Sequence, residues 1–106
     1  MDEFVKLVVF VPTSHADVVR QALGEAGAGK IGNYDFCSFS TKGTGRFRGN
    51  KDSSPTIGKA GNYEQVEEER IEVELNKEIL PQAIAKLKVA HPYEEVAFDI
   101  YPLLKA

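Results

Sequence analysis

The chain has 106 residues, room for one domain and too little for two that stand alone. Its 42% hydrophobic and 27% charged residues place it among ordinary folding proteins and exclude a disordered chain. A formal net charge of -3 excludes general attraction to nucleic acid or an anionic membrane, and the single cysteine, Cys37, excludes an internal disulfide.

The first element in chain order is Phe4 to Val11, dense in Val, Leu and Phe with only Lys6 interrupting, which predicts a central strand. Its apolar run is short and follows two acids, so it lacks the basic start of a secretory signal. No stretch approaches the roughly 18 apolar residues of a membrane span, and the expected location is the cytoplasm. Pro12 stops the strand. Thr13 and Ser14 are placed to cap a helix over residues 14–26, in which Val18, Val19, Ala22, Leu23 and Ala26 recur at helical spacing.

The next stretch, GEAGAGKIG from Gly24 to Gly32, contains most of a phosphate loop: Gly24, four residues, then Gly29-Lys30. The context is reversed, however. A phosphate loop precedes its helix and ends on Ser or Thr, whereas these glycines follow a helix and Ile31 holds the hydroxyl's place. The stretch reads as a helix C-cap running into a turn, with no triphosphate chemistry.

Tyr34 to Ser40 reads as a second strand, with Cys37 a buried, inert thiol between Phe36 and Phe39. From Thr41 to Gly61 the chain carries five glycines and Pro55, which predicts a long connection, although Gly45 to Arg48 has the character of a hairpin arm. Gln65 to Leu75 alternates, with Ile71, Val73 and Leu75 on one face and Arg70, Glu72 and Glu74 on the other, as a half-buried strand does. The acids Glu67, Glu68 and Glu69 at its entrance, with Glu64, read as a solvated edge. Asn76 then caps a second helix whose buried side is Ile79, Leu80, Ala83, Ile84, Leu87 and Ala90, with Pro81 in the first turn and a stop at His91-Pro92. Val96 to Tyr101 is the last strand.

The resulting order, β-α-β-β-α-β, is the ferredoxin-like α+β arrangement: a four-stranded antiparallel sheet with two helices on one face, here a single domain over residues 1–106. The other face is left open, with Phe10, Arg70, Glu72, Glu74 and Tyr101 on it. A mixed apolar and charged surface suits a second copy of the chain, with Arg70 available to pair across the interface. A homo-oligomer follows, and a dimer or a trimer would hide this face equally.

Two places can carry chemistry. Lys42, Gly43, Gly45, Arg46 and Arg48 combine basic side chains with glycines, as a site for a phosphate, a carboxylate or a small anionic metabolite does; a plain solvated hairpin loop is the alternative. His91-Pro92-Tyr93-Glu94-Glu95 sets one imidazole and two carboxylates at a helix end. His91, Glu94 and Glu95 there either hold a divalent metal ion or serve structure, with the imidazole answering the helix dipole. For nucleophilic catalysis the chain offers Cys37, several serines, His15 and His91, but no GxSxG, HExxH or CxxC. The expected working surface is the meeting of the loop from Lys42 to Lys59 with His91 to Glu95.

Taken together, VPTSHADVVRQALGEAGAGKIGNYDFCSFSTKGTGRF, IGKAGNYEQVEEERIEVEL and AHPYEEVAFDIYPL closely resemble the YqfO-type domain, which occurs as an insert in bacterial members of the NIF-three-like dinuclear-metal family, also called GTP cyclohydrolase type 2 homologues. The resemblance runs from Phe4 to Leu103. It implies a ferredoxin-like fold similar to the PII and CutA proteins, both of which form trimers. In the wider family the metals are held by a paired His-His and a His-x-x-x-Glu, and this chain contains neither. The resemblance therefore implies a small self-associating binding or regulatory module, of a small anionic metabolite or a protein partner, without catalysis of its own. The alternative it leaves is a metal-binding, hydrolase-like protein or an accessory subunit of a dinuclear-metal enzyme.

Overall fold

The computed structural model describes residues 3–106. Four strands and two helices follow the expected order: β1 (Phe4–Pro12), α1 (Ala16–Glu25), β2 (Phe39–Arg48), β3 (Tyr63–Asn76), α2 (Leu80–Ala90) and β4 (Phe98–Pro102). All pairings are antiparallel and the strand order is β2-β3-β1-β4. β1 is thus interior, in keeping with an apolar run that only Lys6 interrupts, because a strand flanked on both edges and packed on one face has little room for polar groups.

One face of the sheet is covered by the helices. There Val5, Leu7, Val9 and Val11 of β1 and Ile71, Val73 and Leu75 of β3 meet Val19 and Leu23 of α1 and Ala83 and Leu87 of α2, all buried. Fully burying a side chain of this size contributes about 1.5–3 kcal/mol, so this layer supplies the main cohesion of the domain. Small residues, Ala16, Ala26 and Ala83, let the helices approach the sheet closely.

The helix boundaries have local causes. The Asn76 side chain accepts the Glu78 N–H at 2.9 Å and opens a short 3-10 turn, Lys77–Ile79, that leads into α2, where Pro81 sits in the first turn as expected. At the start of α1 the expected side-chain cap is absent. Thr13–His15 forms a 3-10 turn instead, the Thr13 hydroxyl reaches the Glu67 carbonyl at 3.4 Å, and Ser14 Oγ meets its neighbour His15 Nδ1 at 2.9 Å. α1 ends as the sequence indicates: the Ala28 N–H returns to the Leu23 carbonyl at 3.0 Å across Gly27, whose φ is +98°.

The second strand is displaced from its expected position. Tyr34 makes only an isolated bridge with Ile31, and β2 begins at Phe39 and runs through Lys42, Gly43, Gly45, Arg46 and Arg48. The connection is accordingly shorter and lies between Arg48 and Tyr63. Cys37 precedes the strand and is partly exposed, not enclosed in a strand interior.

β3 is long because it serves two partners. From Glu68 to Asn76 it pairs with β1, and from Tyr63 to Glu72 with β2. Its first residues therefore project past β1 as a two-stranded arm, and the molecule measures 47 × 23 × 22 Å.

Candidate binding site at the base of the arm

The segment after α2 is fixed by its histidine. His91 is the C-cap of α2 and is 5% exposed. Its Nδ1 accepts the Tyr93 N–H at 3.1 Å, which leaves the ring proton on Nε2, and Nε2 donates to the Phe10 carbonyl at 2.7 Å. Burial is the main cause that pushes the His91 pKa below its ordinary value; the Phe10 bond and the nearby Glu68 charge oppose it.

Tyr93 is held between two rings, His91 at 5.0 Å and Phe47 of the arm at 5.9 Å between centroids. Its hydroxyl donates to Glu68 Oε2 at 2.9 Å. Burial and the Glu68 acceptor both push the Tyr93 pKa upward, so the phenol keeps its proton and acts as a donor. The connection between β2 and β3 closes over the same segment: Thr56 Oγ1 donates to the Pro92 carbonyl at 2.7 Å, and the Ser54 N–H donates to Glu94 Oε2 at 3.0 Å.

Between these parts lies a cavity of about 470 Å³. Phe10, Phe47, Pro55, Ile57 and Tyr93 form most of its apolar wall, and Glu68, Glu94 and Glu95 bring carboxylates to it. The expected meeting of the glycine-rich stretch with His91–Glu95 is therefore present as a place.

Of the expected residues, Gly45, Arg46, Arg48, Glu94 and Glu95 line it, whereas Lys42, Gly43 and His91 do not. β2 is a regular strand, so its side chains alternate: Gly43, Gly45 and Phe47 lie on the open face of the sheet with Glu68, whereas Lys42, Arg46 and Arg48 lie on the opposite face. Lys42 pairs in register with Glu69, and the Arg48 guanidinium sits 5.1 Å from the centre of the Tyr63 ring. The basic side chains and the glycines thus do not converge on one anion, and the backbone of this stretch is a regular edge strand paired with β3.

A divalent metal on His91, Glu94 and Glu95 does not fit this geometry either. Both ring nitrogens of His91 are engaged in hydrogen bonds within the fold, one Glu94 oxygen accepts from Ser54, and among the described residues no three His, Cys, Asp or Glu side chains form a group able to hold a metal ion.

The acidic run also has a different structure from the solvated edge expected of it. Glu67 is exposed, but Glu68 is 9% and Glu69 is 7% exposed, and alternation sends them to opposite faces. Glu69 is held from α1 by Arg20, whose Nη1 lies 2.6 Å from Glu69 Oε1 and 2.9 Å from Ser40 Oγ, while Nη2 reaches Asp17 at 2.5 Å. Glu68 lies over Gly45, where an added Cβ would sit 2.1 Å from Glu68 Oε1. Sequence reasoning missed Glu68, Phe47 and Tyr93. The available signal was the period of two across Thr41 to Arg48, which sets the glycines apart from the basic residues.

The rest of the open face carries paired charges and exposed apolar groups. Glu72 accepts from Lys6 and Arg70, each at 3.3 Å, so Arg70 is engaged within its own chain. Phe39, 68% exposed, and Tyr101 lie on the same face by register, and a second depression of about 630 Å³ there is bounded by Phe39, Ile31, Cys37 and Leu104.

Helices packed on one face of a β2-β3-β1-β4 antiparallel sheet, with an arm extending from β2 and β3, define a ferredoxin-like α+β domain of the CutA type. CutA from Archaeoglobus fulgidus superposes with a TM-score of 0.68 at 17% identity, over 100% of this chain and 87% of that one, which establishes the fold alone. No family model matches the chain. The sequence is 52% identical over 98 residues to the GTP cyclohydrolase 1 type 2 homolog of Halalkalibacterium halodurans and 45% identical over 102 residues to that of Bacillus subtilis. A Bacillus cereus protein related to NIF3 superposes with a TM-score of 0.80 at 49% identity, over 96% of this chain and 26% of that one. The chain is a homologue of the YqfO-type domain of these NIF3-like proteins. The match covers 92% of this chain but only 26% of the length of the Halalkalibacterium relative.

Proposed function

We propose that this chain is a binding and assembly module without catalysis of its own, which associates with copies of itself through the open face of its sheet and offers the cavity at the base of the arm to a small molecule. The observation that carries the reading is the open face itself. Phe39 and Tyr101 are exposed there beside Lys6, Arg70 and Glu72, which are paired within the chain, so a second copy can cover the apolar groups while these three charges keep their partners, and Asp99 on the same face is left to meet a group of that copy. No constellation at the cavity supports a reaction: His91 is spent on the fold, and Tyr93 keeps its proton.

Light scattering and sedimentation of the purified chain test the assembly. Oligomers are expected, and Phe39→Glu should shift the population towards monomer while leaving the circular dichroism spectrum unchanged. A monomer at every concentration would remove the self-association reading.

A second reading rests on the 26% coverage: the relatives carry this domain as one part of a longer chain. The module would then act as an accessory part beside a dinuclear-metal unit. Mixed with a NIF3-like relative from which the matching segment has been deleted, the chain should co-elute on size exclusion, and separate elution would dismiss this role.

A further inference from the structure

We infer that the cavity between Phe47, Tyr93 and the 53–57 connection is a site for a small organic ammonium ion, an alkyl or aryl amine with its cationic head on Glu68. This rests on the binding-module reading and gives that module its ligand class, opposite in charge to the one the glycine-rich stretch suggests in sequence.

Three features carry it. The first is the floor. Glu68 is a carboxylate with 9% of its surface exposed, fixed through Oε2 by the Tyr93 hydroxyl, and it lines the cavity; among the described residues no donor reaches its Oε1. No buried side-chain oxygen among the described residues lacks a partner, so Oε1 opens on the cavity, where an ammonium group supplies both a proton donor and the counter-charge.

The second is the wall. Phe10, Phe47 and Tyr93 line the cavity together with that carboxylate, and Pro55 and Ile57 continue the apolar lining. Aromatic faces attract a cation and accept the hydrocarbon body of an amine, whereas they repel an anion. At about 470 Å³ the space falls within the range of about 300–1,000 Å³ usual for small-molecule sites.

The third is the balance of charge. Glu94 and Glu95 lie at the same cavity and add to the negative potential. Arg46 and Arg48 also border it, but the strand directs their side chains to the other face of the sheet, and the Arg48 guanidinium is over Tyr63. Arg70, 5.8 Å from the centre of the Phe10 ring, is bonded to Glu72. Gly45 keeps the floor open: any side chain there would collide with the Glu68 carboxylate.

The test uses three probes of one shape on the full chain: phenethylammonium, 3-phenylpropionate and 2-phenylethanol, followed by NMR shifts of the Gly45, Phe47 and Tyr93 amides. Saturable shifts with phenethylammonium at least tenfold tighter than with the other two are expected. Glu68→Gln, which keeps an acceptor for Tyr93, should abolish that preference with the melting temperature little changed. Equal binding of all three would show an apolar pocket without charge selection, and tighter binding of the carboxylate would restore an anion site; either overturns the inference, as does the absence of any shift. Self-association is read separately by light scattering, so failure here leaves the assembly reading intact, and a monomer that still binds the amine would do the reverse.

Discussion

His91 Nε2 donates to the carbonyl oxygen of Phe10 across 81 positions of sequence, at 2.7 Å. The bond falls where β1 leaves its partner β4, whose last register pair is Val9 with Phe98, and the Phe10 N–H is taken by the Ala97 carbonyl at 3.1 Å. One imidazole thus completes the hydrogen bonding of β1 and, through Nδ1, of Tyr93. His91→Ala would leave both backbone groups without their partner and a void beside Tyr93, at a cost of about 2–4 kcal/mol. Chemical denaturation should show this as a lower midpoint. An unchanged midpoint would mean that the histidine is available for chemistry after all.

The same pair sets a pH dependence. Burial holds the His91 pKa in the folded chain below its unfolded value of about 6.5. Above that value both states carry neutral imidazole and the stability is fully present. As pH falls below about 6.5 the unfolded chain takes up the proton first, so stability declines down to the folded pKa and then levels. Melting temperatures measured from pH 8 to pH 5 should fall for the wild type and much less for His91→Gln. Parallel curves would place the titrating group elsewhere.

Two glycines of the sequence that look interchangeable should respond oppositely to alanine. Gly29 has φ +83°, gives its N–H to the Glu74 carbonyl at 2.7 Å and accepts from the Cys37 N–H at 2.9 Å, and an added Cβ would lie 2.3 Å from the Cys37 carbonyl oxygen. The obstacle is backbone and the conformation is left-handed, so Gly29→Ala is expected to cost about 3 kcal/mol. Gly43 is in a strand with nothing within 4 Å of an added Cβ, and Gly43→Ala should be neutral or stabilise by up to about 1 kcal/mol. Thermal melts of the two variants, side by side, check the contrast.

What the sequence made legible follows physical periodicity. Ile71, Val73 and Leu75 alternate with charged neighbours opposite the apolar run Leu7 to Val9, and Leu23 and Leu87 fall on the apolar sides of their helices, so sheet, helices and core could be placed from the apolar pattern. β2 was hidden because glycines usually mark a loop, whereas in this strand Gly45 admits the Glu68 carboxylate and Gly43 leaves the open face bare. The site was legible only as a location. Its composition depends on which side of a strand each residue faces, and a run such as Glu67 to Glu69 looks uniform until its register with β1 and β2 divides it.

That division gives Glu69 a role distinct from that of Glu68. Arg20 is bonded to Glu69, Ser40 and Asp17, so one side chain of α1 holds both β2 and β3. The Glu69 side chain is 10% exposed and that of Arg20 28%, which places the pair between a surface bridge and a buried one. Arg20→Ala leaves a nearly buried carboxylate without its cation, and with partial screening by water the expected loss is about 2 kcal/mol. The pair itself contributes less than that figure suggests, because its desolvation cost offsets much of its attraction. Arg20→Met combined with Glu69→Met should therefore recover most of the loss, and a double-mutant cycle by urea denaturation would show it. If the double variant is as unstable as Arg20→Ala, the bridge is worth its full apparent value and the desolvation argument fails.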